Sequence, residues 1–236
     1  MDVGGQATSE EVGRTRVAGD TGARGALARP SHKRTSEPAT FRERVEGWQE
    51  LIEISEAGRI ARRAFANNSF DGILTMVGVV MGSFVVGVKD AAIVLVTGLS
   101  TALAIGISGG WGAYLTEAAE RRYEIAELER VTLTDMHDTK IGKAARSAVY
   151  VVAAVDGLSP FLAALLVVIP FFFAPLLPSI DYAFYASLAI ALVALFGLGA
   201  YLGNISKENV IVYGIKTAVA GVVCMGLSLL MERLAR

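Results

Sequence analysis

Five long apolar segments follow one another along the chain, with short polar stretches between them. They cover Phe70–Val88, Ala91–Leu115, Ala148–Ala174, Tyr182–Leu202 and Val210–Met231. Each is long enough to cross about 30 Å of hydrocarbon as an α-helix. The pattern therefore predicts an all-α, polytopic membrane protein with five transmembrane helices.

The polar residues and prolines within this pattern predict how the helices connect. Lys89 and Asp90 are the polar interruption between the first two segments, so we expect a tight turn there. The third segment contains Pro160 and Pro170. Because proline removes a backbone donor and clashes with the preceding turn, we expect this segment to kink or break.

The chain before these segments divides into two parts. Residues 1–40 are rich in Gly, Ser, Thr, Arg and Glu, a composition that predicts a disordered tail. Residues 41–66 have apolar side chains near helical spacing, with arginines elsewhere around the helix: Phe41, Val45, Trp48, Ile52 and Ile60. This pattern indicates an amphipathic helix on the cytoplasmic face of the membrane, or a soluble helix packed on a cytoplasmic loop. Residues 67–236 then form the five-helix domain, with a glutamate-rich cytoplasmic loop at 116–147.

Composition and charge narrow the class of protein and predict its orientation. Hydrophobic residues make up 53% of the 236 residues, and the formal net charge of −1 gives no indication of a nucleic-acid partner. Eleven Lys and Arg residues precede Phe70, and six lie between the second and third segments. The positive-inside rule therefore places the N-terminus in the cytoplasm. The first forty residues lack an apolar core, so no cleavable signal peptide is predicted.

Small residues recur every fourth position in two segments. Ala102, Gly106 and Gly110 form one such row, and Gly199 and Gly203 form another. Rows of this kind let helix backbones approach closely. The pattern leaves open whether the partner helix belongs to the same chain or to a second protomer.

Three ionisable residues lie within the apolar segments, where charge is costly. Asp156 and Lys216 are both predicted in the cytoplasmic half, which suggests a structural ion pair between them. Asp71 opens the first segment and is either interfacial or, if the preceding helix continues into the span, deeper in the membrane. Asp71-Gly72 and Asp156-Gly157 are similar dipeptides, a weak sign of an internal repeat.

The loop after the second segment carries a row of carboxylates on one helical face. Its members are Glu117, Glu120, Glu124 and Glu127. Such a row can offer oxygen ligands to a divalent cation, but a solvated face paired with neighbouring arginines is the alternative. The nearby Asp135–Asp138 stretch mixes O, S and N donors, and we interpret it as a polar turn. No nucleophile, base and acid converge in sequence, so an enzyme is not predicted.

Several motifs together resemble the vacuolar iron transporter family. They are Phe70–Thr75 followed by Val77–Val80, then Ile107–Leu115, the glutamate-rich extension, the proline-containing third segment and Gly199–Gly203. The similarity runs from about Ala64 to Leu234. It implies a homodimeric exporter of Fe²⁺, and often Mn²⁺, in exchange for protons, here in the cell membrane of a prokaryote, with the metal as substrate and no resident cofactor.

The resemblance also assigns roles to residues. It implies that Asp71 is a metal-pathway residue and that Glu120, Glu124 and Glu127 are the nearest matches to the family's cytoplasmic metal-binding glutamates. This chain has Gly109 where better-studied members have a methionine, and Thr101 where they have a glutamate. Met76, in the first segment, is a candidate replacement for the missing sulfur. The loop between Glu117 and Ser147 is also short for the family's three-helix metal domain.

Two functional hypotheses follow. The first is proton-coupled export of a divalent metal, with Asp71 as ligand or proton carrier. The alternative is a membrane protein that keeps the fold but has lost the metal site, as a non-transporting subunit or a transporter of another small solute.

Overall fold

The computed structural model describes residues 56–235 apart from residue 137, together with residues 47, 49 and 51. Five α-helices lie within residues 56–235, and all five are long and apolar enough to cross a membrane. They are α1 (Ala57–Val86), α2 (Ala91–Thr132), α3 (Lys140–Phe172), α4 (Ile180–Ile205) and α5 (Val210–Ala235). The predicted all-α fold with five spans is confirmed. The predicted tail at 1–40 lies outside the described residues.

Helix α1 is continuous through the predicted boundary between the amphipathic segment and the first span. It begins at Ala57 and runs to Val86 without interruption. Most of the predicted amphipathic segment 41–66 lies outside the described residues, but its last ten residues belong to α1. The apolar and arginine-bearing stretches are therefore parts of one helix, and Asp71 lies in the middle of that helix.

Short, capped turns connect the helices. Gly87 ends α1 with a φ of 78°, a left-handed conformation that glycine adopts at little cost. The Asp90 carboxylate accepts a hydrogen bond of 2.9 Å from the backbone N–H of Ala92 and so caps α2. The expected tight turn is confirmed, and at the same end of the bundle Lys89 forms an ion pair of 3.8 Å with Asp181 at the start of α4.

The two prolines of α3 have different effects. Pro160 lies inside the helix, which continues past it. Pro170 lies two residues before the end of α3, and a 3₁₀ helix at Ala174–Leu176 follows. The third segment is therefore not broken at Pro160. It ends just after Pro170, in keeping with the tendency of proline to disrupt a helix.

Helix α1 is the centre of the bundle. It packs against each of the other four helices, and α2, α3, α4 and α5 contact one another in that order around it. No packed interface joins α2 to α5 within the described residues. The ring is therefore open between α2 and α5, and one side of α1 faces that opening.

Large apolar side chains fill the interior between α1, α3 and α4. Phe171 and Phe184 are fully buried, with ring centroids 5.0 Å apart in an edge-to-face arrangement. Polar links join neighbouring helices: the Ser187 hydroxyl of α4 donates to the Val167 carbonyl at 2.6 Å, and the Thr217 hydroxyl of α5 to the Leu195 carbonyl at 2.7 Å. In a bilayer such contacts and close packing hold helices together, because lipid is as apolar as the core.

The rows of small residues lie at contacts between helices of the same chain. A Cβ placed on Gly157 of α3 would lie 2.8 Å from the Gly106 carbonyl oxygen and 3.0 Å from the Gly110 Cα of α2. Between α4 and α5, a Cβ on Gly203 of α4 would lie 3.0 Å from the Val210 Cα of α5. Both predicted rows are therefore sites of close backbone approach between helices of the same chain.

Candidate functional site

Asp71 lies on the open side of α1. It is exposed and, among the described residues, makes no hydrogen bond or ion pair within the protomer. It is eight residues beyond Arg63, which places it about 12 Å further along the helix axis. An ionisable side chain in this position is costly in lipid and is a candidate for ion binding or for contact with a partner.

Met76 lies on a different face of α1 from Asp71. Its side chain is fully buried in the core, beside Gly98 of α2. The five-residue separation turns Met76 well away from Asp71 around the helix. The structure therefore gives Met76 a packing position and does not bring its sulfur to the Asp71 carboxylate.

The predicted ion pair between Asp156 and Lys216 is not formed. The Asp156 carboxylate accepts a hydrogen bond of 2.8 Å from the Asn68 amide of α1. The Lys216 ammonium instead lies 5.0 Å from the centroid of the Tyr213 ring on its own helix. The reason is the topology: α3 and α5 share no packed interface, because α1 and α4 lie between them.

A polar cavity of about 490 Å³ surrounds Asp156 between α1, α2 and α3. Its polar lining consists of Asp156, Glu117, Arg63, Asn67 and Asn68. Arg63 and Asn67 are exposed, so the cavity reaches the surface at the end of the bundle that carries the arginine-rich part of α1. Asn67 is four residues before Asp71, which places the two side chains on one face of α1, one turn apart.

Two glycines and a proline lie where α1 and α2 approach α3 closely, next to this cavity. Because Pro160 has no N–H, the Asp156 carbonyl lacks its usual helical donor. A Cβ on Gly109 of α2 would lie 2.7 Å from that carbonyl oxygen, and a Cβ on Gly72 of α1 would lie 2.7 Å from the Pro160 Cα. Both glycines therefore let a neighbouring helix approach α3 at the level of Asp156.

The glutamate row continues α2 beyond the bundle, and most of its members pair with arginines. Arg121 contacts Glu117 at 3.4 Å and Glu124 at 2.8 Å, and Arg130 contacts Glu127 at 3.1 Å. Glu120 is exposed. No group of three or more His, Cys, Asp or Glu side chains converges among the described residues. This geometry favours the solvated, arginine-paired face over a preformed cation site.

The stretch after α2 forms a capped polar turn in its described part. Glu129 accepts a hydrogen bond of 2.8 Å from the backbone N–H of Met136, and the Thr139 hydroxyl caps α3 by accepting from Gly142 at 3.1 Å. No additional helix intervenes between Thr132 and Lys140 in the described residues. This arrangement agrees with the expectation that the loop is too short for a three-helix domain. His137 lies outside the described residues.

Neither of the two positions where the resemblance implies a ligand carries one. The Thr101 hydroxyl donates to the Thr97 carbonyl of its own helix at 2.8 Å. Gly109 is packed on the α3 backbone, so a side chain there has no room.

Placing at Gly109 the methionine that the resemblance implies is expected to destabilise the protein rather than add a ligand. We expect Gly109→Met to lower the thermal unfolding temperature in detergent by several degrees, because overpacking of this kind costs about 1–3 kcal/mol or more. Gly112→Met is the matched control, since a Cβ on Gly112 meets no atom within 4 Å. Equal unfolding temperatures for the two variants would show that α2 and α3 can separate freely.

Sequence reasoning missed the amides that complete the polar cavity. Asn67 and Asn68 were not singled out, although two adjacent amides three and four residues before Asp71 are unusual in an apolar helix. Glu117 was recognised only as part of the glutamate row. Its place beside Asp156 depends on how α2 packs on α3, which no local pattern encodes.

Comparison with known sequences decides the family. Residues 63–142 and 131–233 match the sequence model of the VIT family. This chain belongs to the VIT family. An uncharacterised protein of Methanocaldococcus jannaschii, MJ0645, is 34% identical over 173 residues, which cover 72% of this chain and 87% of that protein. The resemblance found in the sequence is thus confirmed, and the chain is a member of a family of membrane transporters for divalent metal ions.

Proposed function

We propose that this VIT-family protein exports a divalent metal cation, Fe²⁺ or Mn²⁺, from the cytosol in exchange for protons. The observation that carries the proposal is the position of Asp71. Its carboxylate is exposed in the middle of the central helix, on the side left open by α2 and α5. A carboxylate in this position can bind either a divalent cation or a proton, which is the simplest chemistry for antiport.

The open side of α1 supports a homodimer as the transporting unit. Beyond Asp71 this side carries Gly78 and Gly82, and a Cβ on either glycine would meet no atom within 4 Å of the same chain. Glycines without a partner in the protomer leave room for a second helix to approach closely. Two α1 helices facing each other would place two Asp71 carboxylates along one pathway.

The distribution of charge supports an orientation with the N-terminus in the cytoplasm. Arg63 and Glu117 line the same cavity, so the start of α1 and the long extension of α2 lie at one end of the bundle. That end carries the arginine-rich segments, whereas the opposite end carries the Lys89–Asp181 pair. By the positive-inside rule the arginine-rich end faces the cytoplasm, here of a prokaryotic cell bounded by its plasma membrane.

The rival function is a membrane protein that has kept the fold without transporting metal. The observations that favour it are the missing ligands at Gly109 and Thr101 and the arginine pairing of the glutamate row. A third possibility is transport of a different small solute. An assay of metal transport by the purified protein distinguishes metal export from both of these alternatives.

The test is uptake of Mn²⁺ and of Fe²⁺ into proteoliposomes with and without an imposed pH gradient. We expect metal to accumulate faster with the gradient than without it, and protons to move in the opposite direction. Protein-free liposomes are the control for leak. Folded, correctly inserted protein that moves neither metal would overturn the export proposal and favour its rivals.

A further inference from the structure

A groove of about 720 Å³ lies at the surface of the bundle between α1, α3 and α4. Its two walls, α3 and α4, are packed together deeper in the bundle, where the Phe171 and Phe184 rings meet edge to face. The Ser187 hydroxyl also donates to the Val167 carbonyl there, at 2.6 Å. Nearer the arginine-rich end the groove lies between the walls, and α1 forms its floor. The groove is therefore open at that end and closed at the other.

The groove is about as deep as one leaflet of a bilayer. Its lining extends from Ala61 to Ile73 on α1 and from Ala154 to Leu166 on α3, which is about 18 Å along each helix. The hydrocarbon core of a bilayer is about 30 Å thick, so one leaflet contributes about 15 Å. A membrane-spanning helix of a second protomer would continue past the closed end, whereas a lipid acyl chain would end there. The depth therefore favours a lipid as the occupant.

The lining changes from charged to apolar along this depth. Arg62 and Tyr201 lie at the open end. The Arg62 side chain is exposed and makes no ion pair with another described residue, and no acidic side chain lines the groove. Deeper in the groove the lining is apolar apart from Ser69 and Ser159, and the Ser159 hydroxyl donates to the Val155 carbonyl of its own helix at 2.5 Å. One end thus suits an anion such as phosphate, and the remainder suits a hydrocarbon chain.

We propose that this groove binds an anionic phospholipid from the leaflet at the arginine-rich end of the bundle. The Arg62 guanidinium and the Tyr201 hydroxyl donate to the phosphate oxygens, and one acyl chain lies between α3 and α4 against Ala163 and Ala194. The rings of Phe65 and Tyr201 pack edge to face with their centroids 5.9 Å apart, which joins α1 to α4 beside the headgroup.

This lipid site is separate from the proposed metal pathway. Ser69 and Ile73 of α1 line the groove, and each is two residues from Asp71, which turns it about 160° away around the helix. The groove and the open side that carries Asp71 therefore lie on nearly opposite faces of α1. Lipid binding does not depend on metal export, and either proposal can fail without the other.

The first test compares two lipids with the same acyl chains. Purified full-length protein is titrated with dioleoyl phosphatidylglycerol or dioleoyl phosphatidylcholine, and bound lipid is counted by native mass spectrometry. The headgroups differ in net charge, so the ratio of the two affinities reports the contribution of the charged end of the groove. We expect the wild type to bind phosphatidylglycerol about fivefold more tightly, the effect of one basic side chain on an anionic lipid. Equal affinities for the two lipids would overturn the proposal.

Arg62→Gln is expected to remove this preference. It should weaken phosphatidylglycerol binding about fivefold and leave phosphatidylcholine binding unchanged. The matched control is Arg63→Gln, which removes the same charge one residue further on, about 100° around α1 and facing the polar cavity beside Asp156. We expect Arg63→Gln to keep the preference. An equal loss in both variants would mean that the arginine-rich end attracts anionic lipid without using the groove, and the site would be wrong.

Ala163→Phe tests the apolar part of the groove. The added ring occupies the space of the acyl chain, so we expect no phosphatidylglycerol to be bound at concentrations that saturate the wild type. Val193→Phe is the control, because Val193 is 72% exposed and precedes Ala194 without lining the groove. Wild-type binding by folded Ala163→Phe would contradict the proposal. A change of oligomeric mass in Ala163→Phe would instead assign the groove to a second copy of the chain. If Ala163→Phe does not fold, the Arg62 and Arg63 variants decide, since both arginines are exposed.

Discussion

Asp71→Asn is expected to reduce metal uptake in proteoliposomes to the level of protein-free liposomes. The substitution keeps the size of the side chain and removes its charge, so a cation or proton no longer has a carboxylate to bind at the middle of α1. Packing should be unaffected, because Asp71 is exposed and has no partner among the described residues of the protomer. The measurement is initial uptake of Mn²⁺ and Fe²⁺ under a pH gradient, together with proton flux.

Two controls make the Asp71 result interpretable. The thermal unfolding temperature of the variant should equal that of the wild type, which excludes a folding defect. Asp181→Asn is the matched charge removal at the far end of the bundle and should leave uptake unchanged. Wild-type rates of metal uptake and proton flux in Asp71→Asn would remove Asp71 from the pathway.

Gly157→Ala is expected to destabilise the protein markedly through a single added methyl group. Its Cβ would meet backbone atoms of Gly106 and Gly110 at 2.8 and 3.0 Å, the first closer than real Cβ atoms approach and the second tighter than most Cβ contacts. Backbone atoms cannot rotate away as a side chain can, so α2 and α3 must move apart along their interface. Overpacking of this kind costs about 1–3 kcal/mol, and we expect a lower unfolding temperature and less folded protein by size-exclusion chromatography.

Gly197→Ala on α4 is the matched control for this substitution. A Cβ on Gly197 meets no atom within 4 Å. In a helix interior alanine is favoured over glycine by about 0.5–1 kcal/mol. The control should therefore unfold at the same or a higher temperature than the wild type. If Gly157→Ala matched Gly197→Ala in stability, the α2–α3 approach would be looser than the structure shows.

Gly109 allows α2 to approach the backbone of α3 closely. Without a side chain at Gly109, α2 lies directly on the carbonyl of Asp156, which Pro160 has freed from its helical hydrogen bond. The Asp156 side chain accepts a hydrogen bond from Asn68 of α1 and lines the polar cavity.

Local pattern was enough to predict the helices of this protein. Runs of about twenty apolar residues have few alternatives to a membrane-spanning helix, because backbone groups in lipid must be satisfied within the segment. The Lys89-Asp90 turn and the rows of small residues were also recognisable, since turn formation and close helix approach depend on residue type at fixed spacing. The Asp-Gly opening and the second-span motif carried the family resemblance.

Side-chain partnerships across helices were decided by the tertiary structure alone. Asp156 was expected to pair with Lys216 because opposite charges in one membrane half attract, yet α1 and α4 separate their helices and Asn68 takes the contact. The sequence likewise could not predict that Met76 lies in the core while Asp71 lies on the open side of α1. Hydrophobic periodicity determines which segments are helices, but in a bundle that is apolar on all sides it carries little information about which face meets which helix, and close packing of small residues makes that choice.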